Sequence, residues 1–95
     1  MSDQKSLKVD PEARVAVYDS QRVTLSPREA KLLSLFVDDQ ERVLTRDEIV
    51  DQVWAGRTAS PRAVDVMVFR LRCRLKKIDH PGIMTVFRRG YRLAV

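Results

Sequence analysis

Hydrophobic residues recur every three or four positions from Ser60 to Lys77, which predicts an amphipathic helix. At about 100° per residue, one narrow sector of that helix collects side chains that must be buried: Val64, Val68, Leu71, Leu75 and Ile78. The opposite side collects Arg62, Val66, Phe69, Arg70, Cys73 and Lys77. A solvated helix face usually mixes Lys with Glu and Gln, whereas this face has no acid before Asp79 apart from Asp65 on its flank. We therefore expect the face to bind something anionic that also offers apolar groups.

Polar and apolar residues alternate between residues 6 and 25, and this alternation predicts short strands. Turns are expected at Asp10-Pro11 and Asp19-Ser20, because these residue types favour tight turns. The apolar positions of the predicted strands are Leu7, Val9, Val15, Val17, Tyr18, Val23 and Leu25.

Two capping boxes predict where the first two helices begin. Ser26-Pro27-Arg28-Glu29 has a cap hydroxyl, proline at the first helical position and glutamate three residues after the cap, and Thr45-Arg46-Asp47-Glu48 repeats the box. The first helix should extend to about Val37, and Gly56 should stop the second. Their inward-facing residues are expected to be Ala30, Leu33, Phe36, Val37, Ile49, Val50, Val53 and Trp54.

The C-terminal segment predicts a β-hairpin with a basic tip at Arg88-Arg89-Gly90. Three helices followed by a hairpin form a winged helix, an α+β fold in which the third helix can enter a major groove and the hairpin an adjacent minor groove. The chain is thus expected to form one domain over residues 6–95, after a disordered stretch at residues 1–5. Its parts would be an N-terminal antiparallel sheet (6–25), three helices (26–78) and the wing hairpin (83–95).

Charge is distributed unevenly along the chain. Residues 1–56 hold eight Lys/Arg against eleven Asp/Glu, a net charge of −3, while residues 57–95 hold ten against two, a net charge of +8. Such asymmetry indicates one surface that faces a polyanion, either nucleic acid or an anionic membrane. The apolar stripe is narrow and continuous with a plausible core, whereas a membrane-surface helix would be long with aromatics at its polar boundary. Nucleic acid is therefore the favoured partner, with no membrane.

The remaining composition argues against other classes of function. No apolar run is long enough to span a membrane and no secretory signal opens the chain, which predicts a cytoplasmic protein. Cys73 is the single cysteine, so neither an internal disulfide nor a thiolate metal site is expected. It would be a residue near bound DNA, an incidental surface thiol or a redox switch. One histidine and scattered carboxylates supply no nucleophile and base pair, so we expect no enzyme, no metal and no cofactor.

Three segments in order carry a resemblance to a known family: VTLSPREAKLLSLFVDDQERVLTRDEIVDQVW, RAVDVMVFRLRCRLK and TVFRRGYRL. They resemble the OmpR/PhoB-type DNA-binding domain of bacterial response regulators, the effector part of two-component systems, over about residues 7 to 94. The resemblance implies a transcription regulator of the bacterial nucleoid with a four-stranded N-terminal sheet and a third helix that contacts DNA bases. A receiver domain normally precedes this module, so the chain would be an excised effector domain or a stand-alone regulator.

The resemblance also assigns site residues. Arg62 matches a phosphate-contacting arginine, Val66 the position that touches thymine methyl groups, and Arg70 the arginine that hydrogen-bonds base edges. Arg72 matches a further backbone-contacting arginine, and Thr85 a wing residue near phosphate. The helical periodicity agrees independently, because it places the first three on the exposed face and Arg72 at its flank.

The sequence departs from the family pattern in helix and wing. Met67 and Phe69 replace polar or basic residues, and Phe69 would either pack on a thymine methyl or contact a neighbouring subunit. The wing has Val86-Phe87-Arg88-Arg89-Gly90-Tyr91 where V-R-G-x-G-Y is usual, so Arg88 or Arg89 would supply the minor-groove cation. Loss of the first glycine is expected to change the turn.

Several residues have structural alternatives to a binding role. The cations Arg74, Lys76 and Lys77 would either contact phosphate or simply favour the helix C-terminus. Asp65, beside Arg62 and Arg72 on the helix, is expected to orient one of these arginines rather than to contact a base. Trp54 is expected in the core, His80 to be inert and Tyr91 to anchor the hairpin.

A rival function is a winged-helix protein-interaction module, because Val66, Met67 and Phe69 would supply unusual apolar surface. Its partner would be RNA polymerase or another regulator. In the resembled family the segment that here spans 55–59 touches RNA polymerase, and two copies bind head to tail on direct-repeat DNA. Both remain expectations for this chain.

Overall fold

Three short strands, three helices and a two-stranded hairpin follow one another in the computed structural model, which describes residues 6–55, 57 and 59–94. This is the expected α+β class with an N-terminal sheet, a helical core and a C-terminal hairpin. Residues 1–5, predicted to be disordered, and Gly56, predicted to stop the second helix, lie outside the described residues. The elements are β1 (Lys8–Asp10), β2 (Val15–Tyr18), β3 (Gln21–Thr24), α1 (Pro27–Asp38), α2 (Arg46–Val53), α3 (Pro61–Lys77), β4 (Ile83–Val86) and β5 (Gly90–Leu93).

The N-terminal sheet is antiparallel in the order β1-β2-β3. Val9 pairs with Ala16, and Ala16 pairs with Val23. Ala16 is fully buried, so this row faces the helices, while Lys8 and Arg22 of the adjacent row are exposed to solvent. The resemblance implied four strands in this sheet, and that expectation is wrong: the N-terminal sheet has three strands within the described residues, because residues 6–25 supply only two turns before α1 begins.

All three helices begin as predicted. Ser26 Oγ accepts a hydrogen bond from the Glu29 amide and the Glu29 carboxylate accepts one from the Ser26 amide, at 3.2 and 3.0 Å. Thr45 and Glu48 form the same reciprocal pair at the start of α2. Ser60 caps α3 through the Ala63 amide at 3.2 Å. Each cap satisfies amides that the helix leaves unpaired and stabilises the fold by about 1 kcal/mol.

The predicted apolar stripe of α3 lies in the core, which the three helices, the sheet and the hairpin enclose. Its members Val64, Val68, Leu71, Leu75 and Ile78 are at most 1% exposed. Met67 is also buried, at 9% exposure, because it lies three residues after Val64 and four before Leu71 on the same side of the helix. The expectation that Met67 adds to the exposed apolar surface is therefore wrong.

The wing is tied to the segment before α2. Leu44 and Tyr91 exchange two backbone hydrogen bonds, at 2.8 and 2.9 Å. Gly90 (φ +147°) lies against this bridge, and a Cβ there would be 2.0 Å from the Leu44 carbonyl oxygen, so only glycine fits. Val86 pairs with Gly90, leaving a loop of Phe87, Arg88 and Arg89.

The wing turn keeps a left-handed residue where the family glycine is missing. Arg88 has a φ of +60°, a region that a residue with a Cβ adopts at a cost. Arg88 thus adopts a backbone conformation that glycine adopts more readily. In the described part of the chain, none of the helices combines the length and hydropathy needed to cross a membrane.

Candidate nucleic-acid interface

The exposed side of α3 carries the side chains that the helical periodicity assigned to it. Arg62, Arg70 and Lys77 are exposed, as is Cys73. Among the apolar residues, Val66 is 42% and Phe69 65% exposed. Leaving a valine and a phenylalanine in water between arginines costs free energy unless a partner covers them. The geometry thus gives α3 a cationic surface with two apolar contacts on it.

Arg72 and Thr85, both predicted to contact phosphate, are hydrogen-bonded to each other. The Arg72 Nη2 donates to Thr85 Oγ1 at 2.8 Å, and its Nε donates to the Ile83 carbonyl at 3.0 Å. These bonds brace α3 against β4. A guanidinium has five N–H donors, so Arg72 retains others for a ligand at this junction.

Arg74 has a protein partner that sequence reasoning missed. Its Nε lies 3.3 Å from Glu29 Oε1, and the Glu29 side chain is only 3% exposed. A carboxylate so deeply buried needs a counter-charge, which Arg74 supplies while it holds the start of α1 against α3. Lys77, one turn later, is exposed at the end of the same helix. No local sequence pattern connects residues 45 positions apart.

Asp65 orients an arginine, but not one of the two predicted. Its Oδ1 accepts hydrogen bonds from Arg46 Nε at 3.0 Å and from the Tyr91 hydroxyl at 2.5 Å. The expected partners, Arg62 and Arg72, are wrong because the packing of α2 against α3 brings Arg46 to Asp65 instead. Asp65 thereby connects α2, α3 and β5.

Asp65, Arg46 and Tyr91 form a cluster in which the contacts shift the pKa of each group. The Tyr91 hydroxyl and then the Arg46 guanidinium hold the pKa of Asp65 below its usual range. The hydrogen bond to Asp65 and its charge raise the pKa of Arg46. Burial, followed by the hydrogen bond to Asp65, raises the pKa of Tyr91. At neutral pH the cluster therefore holds a carboxylate, a guanidinium and a protonated phenol, the forms that the hydrogen bonds require.

The tip of the wing exposes an aromatic ring beside two cations. Phe87 is 78% exposed, and the Arg88 guanidinium lies 5.1 Å from its ring centroid. Arg89 follows in the same loop and is also exposed. Arg88 and Arg89 therefore project from the tip, where the sequence predicted a cation for the minor groove.

A third arginine, which sequence reasoning missed, borders the α3 surface. Arg28 in the first turn of α1 lines a surface groove with Arg62 and Arg70. The Arg28 guanidinium lies 5.2 Å from the ring centroid of Trp54, which is buried as expected. A signal was present in the sequence, because a cation in the first turn of a helix opposes the helix dipole.

His80 is structural. It is buried, its Nδ1 accepts a hydrogen bond from the Gly82 amide at 2.8 Å, and its ring meets Tyr18 edge-on at 4.7 Å between centroids. Burial lowers the pKa of His80, which favours the neutral ring that this acceptor role needs.

Over residues 6–55, 57 and 59–94 no group of three or more His, Cys, Asp and Glu could hold a metal ion.

Comparisons with known proteins agree with this geometry. A family model described as "Transcriptional regulatory protein, C terminal" matches residues 20–93. The phosphate regulon transcriptional regulatory protein PhoB of Pseudomonas aeruginosa is 36% identical over 89 residues, which cover 93% of the chain and 39% of that protein. The transcriptional activator CadC of Escherichia coli is 34% identical over 90 residues, covering 92% of the chain and 18% of that protein. The chain thus spans about two fifths or less of the length of these relatives.

Two solved structures are similar over nearly the whole chain. The DNA-binding domain of E. coli CadC has a TM-score of 0.80 and 31% identity, covering 99% of this chain and 95% of that one. The DNA-binding domain of the response regulator AdeR, in complex with an intercistronic region, has a TM-score of 0.82 and 26% identity, with 97% of each chain covered.

Proposed function

The chain belongs to the OmpR/PhoB-type family of C-terminal DNA-binding domains of transcriptional regulators, and we propose that it binds double-stranded DNA in a sequence-specific manner. In this proposal α3 enters the major groove and the β4–β5 wing lies near the minor groove. One observation carries it: the exposed side of α3 combines arginines with apolar side chains on a helix whose other side is fully packed in the core. A helix that enters the major groove needs that division between a packed and a free side.

The proposal divides the exposed residues between base edges and backbone. Arg70 hydrogen-bonds a base edge, as an arginine does with guanine O6 and N7, which discriminates by about 1 to 3 kcal/mol. Val66 and Phe69 contact thymine methyl groups. The phosphate contacts come from Arg62, Lys77, Arg72 and Thr85, and the wing cations are Arg88 and Arg89. Arg74, for which the sequence left phosphate contact and a role at the helix C-terminus open, is instead proposed to hold α1 through Glu29.

Backbone contacts should supply most of the affinity. If about six cations meet phosphates, the logarithm of the binding constant should fall with the logarithm of salt concentration with a slope near −5. The net charge of +8 in residues 57–95 supports such a dependence.

Assembly and cellular setting complete the proposal. Two copies would bind head to tail on a direct repeat, and the segment at residues 55–59 would face RNA polymerase. The protein would bind chromosomal DNA in the bacterial cytoplasm, at the nucleoid. No catalytic step is part of the proposal.

A protein-interaction module is the second candidate. The observation that favours it is the exposure of large apolar residues on two neighbouring elements: Phe69 at 65% and Phe87 at 78%. A protein partner would cover both, since aromatic side chains are enriched at protein interfaces.

Selection from a random duplex pool at about physiological salt tests the proposal, followed by titration of the selected duplex and of its scrambled version. We expect a recovered motif, preference for that motif over the scrambled duplex, and the steep salt dependence given above. Binding without any preferred sequence would contradict the specific role. Absence of binding to any duplex would favour the protein-interaction module.

A further inference from the structure

A cationic groove runs between the first turn of α1 and the exposed side of α3. Arg28 contributes one guanidinium from α1, and Arg62 and Arg70 contribute two from α3. Trp54, Val66 and Met67 form its apolar wall. No carboxylate lines the groove within the described residues, and none of those residues forms an ion pair with Arg28. Three like charges on one groove repel each other, so the groove favours an anion.

The position of Arg28 depends on its own contact with Trp54 and on a contact of the next residue with α3. Its guanidinium lies 5.2 Å from the Trp54 ring centroid, a cation–π arrangement that restricts where the side chain points. The next residue, Glu29, is bonded to Arg74, which lies one helical turn after Arg70. The first turn of α1 is thereby held alongside the exposed face of α3.

Helix stability gives no reason for an arginine at this position. Arg28 follows Pro27, the first residue of α1, where the unpaired amides and the helix dipole disfavour a cation. The capping box already satisfies this helix start through Ser26 and Glu29. An exposed, unpaired cation at an unfavourable helix position, beside two other arginines, is better explained by a ligand.

We propose that Arg28 is an additional phosphate-contacting residue, which binds a DNA backbone phosphate on the α1 side of the major groove entered by α3. A guanidinium suits this role, because its planar N–H groups match two phosphate oxygens at once. This inference rests on the proposed function, since it needs duplex DNA against α3. Arg28 contributes affinity and register, and Arg70 keeps the base contact.

The test compares Arg28→Gln with Arg22→Gln, a variant that loses the same charge. Arg22 lies on the solvent face of β3, where it is exposed on the side of the sheet away from the helices. Each protein is titrated with the selected duplex and with its scrambled version over a range of salt concentrations. We expect Arg28→Gln to weaken binding of both duplexes on the order of 5- to 10-fold near 0.1 M salt and to reduce the magnitude of the salt slope by about 0.9. Arg22→Gln should leave the slope unchanged.

Neutralised phosphates identify the contact directly. Single methylphosphonate linkages are placed in turn along the selected duplex, and the affinity of the wild type and of Arg28→Gln is measured for each. We expect one position where the wild type loses affinity and Arg28→Gln loses none further, because the contact is already absent. Arg62→Gln should keep its sensitivity at that linkage.

The possible outcomes separate this inference from the proposed function. If the wild type binds its selected duplex but Arg28→Gln behaves like Arg22→Gln, the role of Arg28 is wrong and the proposed function stands. A larger loss on the selected than on the scrambled duplex would overturn the phosphate contact in favour of a base contact. If the wild type binds neither duplex, both proposals fail. Thermal unfolding checks the fold, and we expect Arg28→Gln to stay close to the wild type in stability, since removing a cation from a helix N-terminus offsets the lost contact with Trp54.

Discussion

The hydroxyl of Tyr91 in β5 donates a hydrogen bond to Asp65 Oδ1 in α3, with an O···O distance of 2.5 Å. The same oxygen accepts the bond from Arg46 Nε in α2. The Arg46 and Arg72 guanidiniums lie 5.6 and 5.7 Å from the Tyr91 ring centroid. One carboxylate and one aromatic ring thus link the two helices to the wing, so the angle between α3 and the hairpin depends on side chains outside the proposed base contacts.

Loss of the Tyr91 hydroxyl should weaken this link without creating a cavity in the core. Tyr91→Phe keeps the buried ring and removes one hydrogen bond to a charged group, so we expect the free energy of unfolding to fall by about 1 to 2 kcal/mol. Urea denaturation measures this change in the free energy of unfolding. Tyr18→Phe is the matched control, because no hydrogen bond of the Tyr18 hydroxyl is found among the described residues; it should stay near the wild type.

A double-mutant cycle isolates the bond itself. We expect Asp65→Ala and Tyr91→Phe to be coupled by about 1 kcal/mol, since each single change already removes the shared hydrogen bond. Additive losses from the two changes would mean that the contact contributes nothing to stability.

His80 should make the fold less stable as the pH is lowered below the ordinary pKa of histidine. Burial lowers its folded-state pKa below the ordinary 6.5, so the neutral ring contributes stability that is present above 6.5 and lost as pH falls through the folded pKa. His80→Asn retains a side-chain acceptor for the Gly82 amide and does not titrate. The wild type should lose stability from pH 7.5 to pH 5 while His80→Asn changes less. His80 is the only histidine, so its imidazole NMR signal reports the pKa directly; a folded-state value at or above 6.5 would count against this account.

Glycine should be tolerated better at residue 88 than at residue 89. Arg88 has a φ of +60°, where a side chain with a Cβ destabilises the fold by about 1 to 2 kcal/mol. Glycine at this position removes that strain. It also loses the contact with Phe87 and makes the unfolded chain more flexible, and both of these effects oppose the gain. We expect Arg88→Gly to stay within about 0.5 kcal/mol of the wild type and Arg89→Gly to lose about 0.5 to 1 kcal/mol. Both variants lose one charge, so the difference between them in thermal or urea unfolding reports the backbone effect together with the Arg88 contact with Phe87. Equal losses would contradict the proposed strain at Arg88.

Local patterns in the sequence were sufficient for the helix starts and for the buried side of α3. Ser26 and Glu29 contact each other across three residues, and Val64 and Val68 share a face across four, so spacing alone predicts both relationships. Met67 was misplaced because it lies near the boundary between the buried and exposed sectors. Its spacing from Val64 and Leu71 places it beside the buried stripe, and the depth to which the neighbouring elements cover α3 decides that it is buried.

The interactions that position the candidate site could not be predicted in the same way. Asp65 bonds Arg46 and Tyr91, which lie 19 and 26 residues away in the chain. Arg74 bonds Glu29 across 45 residues. Long charged side chains can reach several partners from one backbone position, so only the packing of α1, α2 and the wing against α3 selects which partner each one meets.

In the proposed complex, α3 contacts the bases through Arg70 and the DNA backbone through Arg62. The most direct measurement is the ratio of affinities for the selected and the scrambled duplex, at one fixed salt concentration, for the wild type, Arg70→Ala and Arg62→Ala. We expect Arg70→Ala to lower this ratio roughly 5- to 150-fold, which corresponds to about 1 to 3 kcal/mol of discrimination. The base contact is lost only on the preferred site. Arg62→Ala should weaken both duplexes similarly and leave the ratio unchanged. Equal changes in the ratio for the two variants would contradict the claim.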